Sequence, residues 1–120
     1  VFRRDLNKKE IIAEKDLMKY LTKVKKEFTA NLTKEADKLF NNKIKDVKNI
    51  SEMKKLIEDG DMIRCGFCSV AIDGQKCAEV IEKETGAQVR GTKFDAEKVS
   101  GDCIICGKKA NYIVYIARSY

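Results

Sequence analysis

At 120 residues and 43% apolar content, the chain is the size of one domain or two very small ones, each with a thin core. No apolar run is long enough for a membrane span or a signal peptide, and five cysteines with no secretion signal argue for reduced thiols in a cytosolic setting rather than a disulfide framework. The net charge of +6 is uneven: residues 1–60 carry 16 Lys+Arg against 11 Asp+Glu and residues 61–120 carry 9 against 8, so any contact with RNA or another polyanion is expected in the first half.

In chain order, Val1-Phe2-Arg3-Arg4-Asp5 and Glu10-Ile11-Ile12-Ala13-Glu14 are β-prone runs separated by a plausible hairpin turn at Leu6-Asn7-Lys8-Lys9. A two-stranded ribbon is marginal in water. With Val1 rather than Met at position 1, this suggests the edge of a sheet in a larger intracellular protein. Asp16 reads as the N-cap of a long helix. Leu17, Tyr20, Leu21, Val24, Phe28, Leu32, Ala36, Leu39 and Phe40 hold one apolar face in steps of three and four, and no proline breaks it. Lysine and glutamate fill the other face, and without tryptophan the stripe reads as a seam for neighbouring domains, not a lipid-surface helix.

After a polar interval over residues 41–49, Ser51 caps a shorter predicted helix carrying Met53, Leu56 and Ile57, and Gly60 stands where a left-handed cap ends it. Composition changes there, which places a boundary at residue 60. The second half is predicted to alternate a strand over 61–64, a helix over 74–85 ended by Gly86, a strand over 87–94, a polar loop over 95–102 and a buried central strand over 110–117. The fold class is therefore α+β: a long amphipathic helix leading to a small mixed sheet with a helix, stapled by a four-cysteine zinc site.

All five cysteines lie in the second half, as Cys65-Gly66-Phe67-Cys68, Cys77 and Cys103-Ile104-Ile105-Cys106-Gly107. Two CxxC steps about thirty-five residues apart are the spacing of a tetrahedral zinc site built from two knuckles. The chain has no histidine and shows no open ligand position, so such zinc is structural, not catalytic. A redox dithiol at Cys65 and Cys68 and five ordinary core cysteines are the competing readings. Spacing alone favours Cys65, Cys68, Cys103 and Cys106. The alternative set takes Cys77, near a helix start whose dipole favours thiolate, and drops Cys65 into the core from its strand.

Phe67-Cys68-Ser69, Cys77-Ala78-Glu79, Gly86-Ala87-Gln88-Val89-Arg90-Gly91, Cys103-Ile104-Ile105-Cys106-Gly107-Lys108-Lys109-Ala110 and the closing Ala117-Arg118-Ser119-Tyr120 together resemble the C-terminal zinc-binding domain of prolyl-tRNA synthetase of the archaeal and eukaryotic type. The first residues and the long helix resemble the end of that enzyme's anticodon-binding domain and its exit helix. The resemblance implies zinc ligands at Cys68, Cys77, Cys103 and Cys106, with Cys65 outside the set, and a terminal carboxylate at Tyr120 that anchors toward the catalytic domain. It implies residues 1–15 as the last strands of an anticodon-binding domain, 16–60 as a helical connector and 61–120 as the zinc-binding domain, with Arg3 and Arg4 as possible tRNA contacts. It further implies a cytoplasmic class II ligase, homodimeric in full length, that attaches proline to its tRNA using ATP and Mg2+. None of that chemistry can be located in these residues, so this segment is expected to brace the other domains. A free-standing zinc-ribbon module that binds nucleic acid is the alternative, but the cysteine-bearing half is near neutral; a thiol-disulfide oxidoreductase is a distant third.

Overall fold

Asn7 adopts a left-handed backbone (φ 50°), which asparagine tolerates better than most residues, and folds the chain back on itself between two short strands. These are β1 (Phe2–Arg3) and β2 (Lys8–Lys9), antiparallel with Phe2 opposite Lys9 and Arg3 opposite Lys8. The second strand thus lies within the expected turn, ahead of residues 10–14, because the tight reversal at Asn7 leaves Lys8 and Lys9 as the residues in register. In the computed structural model, which describes residues 1–119, these strands and the long helix α1 (Leu17–Asn42) form one compact unit, Val1–Asn42, and a second unit begins at Lys43.

Asp16 is not an extended N-cap. It closes a 3-10 turn, Glu14–Asp16, that runs directly into α1. The hairpin is held to α1 by polar side chains. Arg3 grips the Asp5 carboxylate through Nε and Nη2 (2.9 and 2.7 Å) and donates Nη1 to Glu27 (2.8 Å), Asn31 donates to Asp5 (2.7 Å), and the Tyr20 hydroxyl donates to Glu10 (2.6 Å). No α1 residue is fully buried within this unit, and Leu32, Leu39 and Phe40 are exposed.

These contacts imply a pH dependence. The hydrogen bonds from Arg3, then Asn31, hold the Asp5 carboxyl well below the usual carboxylate range, and Arg3 does the same to Glu27 to a smaller extent. A carboxylate depressed by folding stabilises fully above its unfolded pKa, ~4, and loses that stabilisation as pH falls through the folded value. Protection factors of the hairpin amides are therefore expected to hold down to about pH 4 and to fall only in more acid solution, whereas Asp5→Asn will lower them already near neutrality.

In the second unit, α2 (Ile50–Glu58) connects β3 (Ile44–Asp46) to β4 (Met62–Phe67), and the two strands pair in parallel, Ile44 opposite Met62. The expected polar interval thus contains an edge strand, too short for alternation to reveal it. β3 pairs with β4 and α2 packs on the sheet, so the second compact unit begins at Lys43, ahead of the composition change at residue 60. Asn49, not Ser51, caps α2: its side chain accepts from the Glu52 amide (2.8 Å), while Glu52 accepts from the Lys48 amide (3.1 Å). Gly60 takes the expected left-handed conformation (φ 78°).

Helix α3 (Gln75–Thr85) ends at Gly86, also left-handed (φ 67°), and β5 (Gln88–Gly91) and β6 (Tyr112–Ala117) complete a four-stranded sheet in the order β3-β4-β6-β5. β5 is shorter than the predicted strand over 87–94 because the register slips between Val89 and Gly91, where φ is 135°, and the chain leaves the sheet before a fully exposed Phe94. β6 is central, as its apolar run implies, antiparallel to β4 and β5.

Both helices cover one face of the sheet. Met53 and Ile57 from α2 and Cys77 and Ile81 from α3 join Ile63, Cys65, Phe67, Val114 and Ile116 in a single core. On the other face Arg64 joins Asp46 (2.6 Å) to Glu97 (3.0 Å), and Glu97 also accepts from Tyr115 (2.9 Å), pinning the 92–100 segment across β4 and β6.

Candidate metal centre

Three chain segments bring cysteines to one end of this sheet. Cys68 follows the last residue of β4, and its carbonyl is held by the Asn111 side chain (2.9 Å), while the Asn111 amide donates to the Phe67 carbonyl (3.0 Å). The loop beyond is tightened by Ser69, which donates to Asp73 (2.6 Å) and accepts from the Ala71 amide (3.1 Å), and it delivers Cys77 in the first turn of α3. The third segment is a knuckle. The Cys103 amide donates to the Lys108 carbonyl (2.7 Å), the Gly107 amide donates back to the Cys103 carbonyl (2.9 Å), and Gly107 is left-handed (φ 67°).

Two glycines allow these segments to meet. A Cβ on Gly66 would lie 3.0 Å from the Ala110 Cβ and 3.1 Å from the Asp102 carbonyl oxygen, so the bare strand lets the knuckle pack against it. A Cβ on Gly74 would lie 1.9 Å from the Ser69 carbonyl oxygen, so the Cys68 loop crosses the start of α3 only because Gly74 has none. Neither glycine, nor Asn111, stands out in the sequence as part of a cysteine site; Gly74 at a helix start is the one visible signal.

The result is a cluster of four sulfurs, from Cys68, Cys77, Cys103 and Cys106, all within 4.8 Å of one another. Cys68 and Cys77 stand 3.7 Å apart, far beyond a disulfide bond of about 2.05 Å and close to the ~3.8 Å edge of a sulfur tetrahedron around zinc at ~2.3 Å. Cys65 is outside the cluster. Alternation along β4 buries it with Ile63 and Phe67 on the face covered by the helices. The spacing-favoured set therefore fails: the Cys65-to-Cys68 step runs along a strand, not around a turn, and Cys77 fills the fourth position. The same alternation removes Cys65 as half of a redox pair.

The thiols differ in their electrostatic surroundings. Burial raises the Cys68 and Cys77 thiols, and burial together with the nearby Cys103 pushes Cys65 up to about 12. Cys106 is the opposite case, lowered to about 7, chiefly by the Lys108 backbone amide. Four adjacent sulfurs hold their charge together only around a metal, whose binding expels their protons. Soft thiolate donors in a tetrahedral set suit zinc or iron, and four of them leave no open position. Lys76, Lys108 and Lys109 line the adjoining cavity and would offset the net negative charge of a divalent ion held by four thiolates.

The remaining expected site residues separate. Arg3 is 4% exposed and spent on Asp5 and Glu27, so in this unit it secures the hairpin instead of facing a phosphate; Arg4 beside it is exposed. Tyr120 lies outside the described residues. Ahead of it, Arg118 donates to the Thr85 carbonyl at the C-terminal end of α3 (3.0 Å).

Residues 50–120 match the family described as prolyl-tRNA synthetase, C-terminal. The proline–tRNA ligase of Thermofilum pendens is 33% identical across all of this chain, and that of Oceanobacillus iheyensis is 34% identical over 98% of it; the chain spans 24% of each. In structure it is similar to the prolyl-tRNA synthetase of Giardia lamblia solved with prolyl-adenylate, with a TM-score of 0.76 and 25% identity over 84% of this chain and 21% of that one.

Proposed function

Because the chain belongs to the family of prolyl-tRNA synthetase C-terminal domains, we propose that it is the metal-stapled C-terminal region of a class II ligase that attaches proline to its tRNA. The observation that carries this reading is the convergence of Cys68, Cys77, Cys103 and Cys106 from a strand end, a helix start and a knuckle. Zinc is the ion proposed, held by those four thiolates. Bound there, it supplies no chemistry to the substrate and acts as a crosslink among three segments.

This chain's residues place the crosslink. Asn111 fixes the Cys68 carbonyl, Gly66 and Gly74 admit the close approaches, and the Cys103–Lys108 hydrogen bond sets the knuckle. The activation of proline with ATP and Mg2+ belongs to residues outside this chain. Residues 1–15 are proposed as the last strands of an anticodon-binding domain, with α1 as the connector whose open apolar stripe packs on neighbouring domains. Arg4 remains a candidate phosphate contact. The proposed partners are tRNA, the catalytic and anticodon-binding domains of the same protein and a second copy of the enzyme. The proposed location is the cytoplasm; among the described residues no helix is long and apolar enough to cross a membrane. The near-complete coverage of this chain by proline–tRNA ligases favours this reading over a free-standing zinc ribbon.

Native mass spectrometry of the chain tests the metal directly. One zinc per chain is expected; iron or no metal in fully reduced protein would refute the zinc assignment. The ligase reading is tested on the longer protein carrying this chain, which should exchange pyrophosphate with ATP only when proline is supplied and should charge its tRNA. Charging with a different amino acid would overturn it.

A further inference from the structure

The four clustered cysteines are not equally accessible. Cys77 and Cys103 are buried and Cys68 is half-buried, whereas Cys106 is exposed on the knuckle. A cavity of about 290 Å³ adjoins them, lined by Cys68, Cys77 and Cys106 and by Lys76, Lys108 and Lys109. The cavity is large enough for a small oxidant, and Lys76, Lys108 and Lys109 give its lining a positive charge that favours an anionic leaving group.

We propose that Cys106 is an oxidation site at which a hydroperoxide opens the metal centre, with Cys68 as the resolving thiolate. The inference rests on the metal-centre reading above. In the first step the Cys106 sulfur attacks the terminal oxygen of the hydroperoxide; the O–O bond breaks, the Cys106 sulfur is oxidised by two electrons to the sulfenic acid, and the alkoxide or hydroxide leaving group takes a proton from water or a lining lysine. In the second step the Cys68 thiolate attacks the Cys106 sulfur, forming the disulfide and expelling hydroxide, which is protonated to water. Two thiolates, Cys77 and Cys103, are then too few to retain the ion. Cys68 is the partner because it lines the same cavity and is less buried than Cys77, and because the sulfurs lie within 4.8 Å before any movement. The unit beginning at Lys43 is thereby stapled in reducing conditions and released by oxidant.

The experiment follows zinc release with a chromophoric indicator after hydrogen peroxide is added to the chain, as wild type, Cys65→Ser and Cys106→His. The histidine at the exposed position keeps a four-ligand set, and zinc content is measured before peroxide. Wild type and Cys65→Ser, whose sulfur lies outside the cluster, are expected to release zinc at rates within about twofold of one another, and Cys106→His about tenfold more slowly. Release from Cys106→His at the wild-type rate, or first trapping of a sulfenic acid in wild type at a cysteine other than Cys106, overturns the proposal. Should Cys106→His fail to hold zinc, a sulfenic-acid trap applied to wild type decides: the adduct on Cys106 and a Cys68–Cys106 disulfide on peptide mapping support it, and first trapping at another cysteine sinks it. Wild type lacking zinc at the outset refutes the metal reading itself, a separate failure.

Discussion

Cys77→Ser is expected to lose the metal and unfold the unit that begins at Lys43, while Cys65→Ser keeps both metal and fold. The two side chains are alike in burial, 7% and 5% exposed, so loss of apolar contact alone would make the variants similar. They differ in what the sulfur meets. Cys77 belongs to the four-sulfur cluster, and a serine hydroxyl does not ionise to replace its thiolate. Structural zinc in small domains contributes about 10–16 kcal/mol that appears as folding free energy, as much as or more than the ~5–15 kcal/mol net stability of an ordinary domain. A core drawn from two short helices and three strands does not compensate for that loss.

Cys65, by contrast, sits among Ile63, Phe67 and Val114. A hydroxyl there costs about 1–3 kcal/mol for burial without a matched partner, and the metal remains bound. Native mass spectrometry for zinc, with thermal unfolding of the same samples, checks both halves. Zinc kept in Cys77→Ser and lost in Cys65→Ser would restore the double-CxxC site and overturn the cluster.

Gly74→Ala carries the second large effect, although Gly74 binds nothing. Its φ of −85° is open to alanine, so no backbone strain is involved. The obstacle is the Ser69 carbonyl oxygen, 1.9 Å from the added Cβ where real contacts are essentially never under 3.0 Å, so loop or helix must move by about 1.1 Å (3.0 − 1.9). Cys68 is the residue before Ser69, and Cys77 lies three residues beyond Gly74. A displacement of that size falls between two ligands whose metal distances tolerate about 0.2 Å. Overpacking of this kind costs about 3 kcal/mol, and the misplaced ligands should weaken zinc binding by roughly 10–100-fold. Competition with a chelator gives the affinity and thermal melting the stability. Wild-type values for both would show that the Ser69 crossing is not needed.

Parts of the fold are written locally and were legible from the residues. The 3.6-residue stripe of α1 needs no partner to be recognised, Gly60 and Gly86 end helices by the left-handed conformation only glycine adopts freely, and the apolar run over 112–117 reads as a central strand because both its faces are covered. Elements defined by their partners were not. β3 has three residues, and it is a strand only because β4 offers a parallel edge on the far side of α2. Arg3 resembles a free basic residue until Asp5 and Glu27, the second more than twenty residues away, are brought to it.

The sequence by itself determined that thiols dominate the chemistry: five cysteines, no histidine and a Cys103–Cys106 knuckle leave a closed sulfur site as the economical reading. The family resemblance singled out Cys68, Cys77, Cys103 and Cys106, but spacing pointed to Cys65 in place of Cys77, and only the tertiary structure shows physically why that choice fails. A strand sends alternate side chains to opposite faces, so β4 commits Cys65 to the core with Ile63 and Phe67, and Cys68 escapes only because the strand has ended. Cys77 arrives because Gly74 lets helix and loop cross within van der Waals contact, a steric condition that nothing in the spacing of the cysteines expresses.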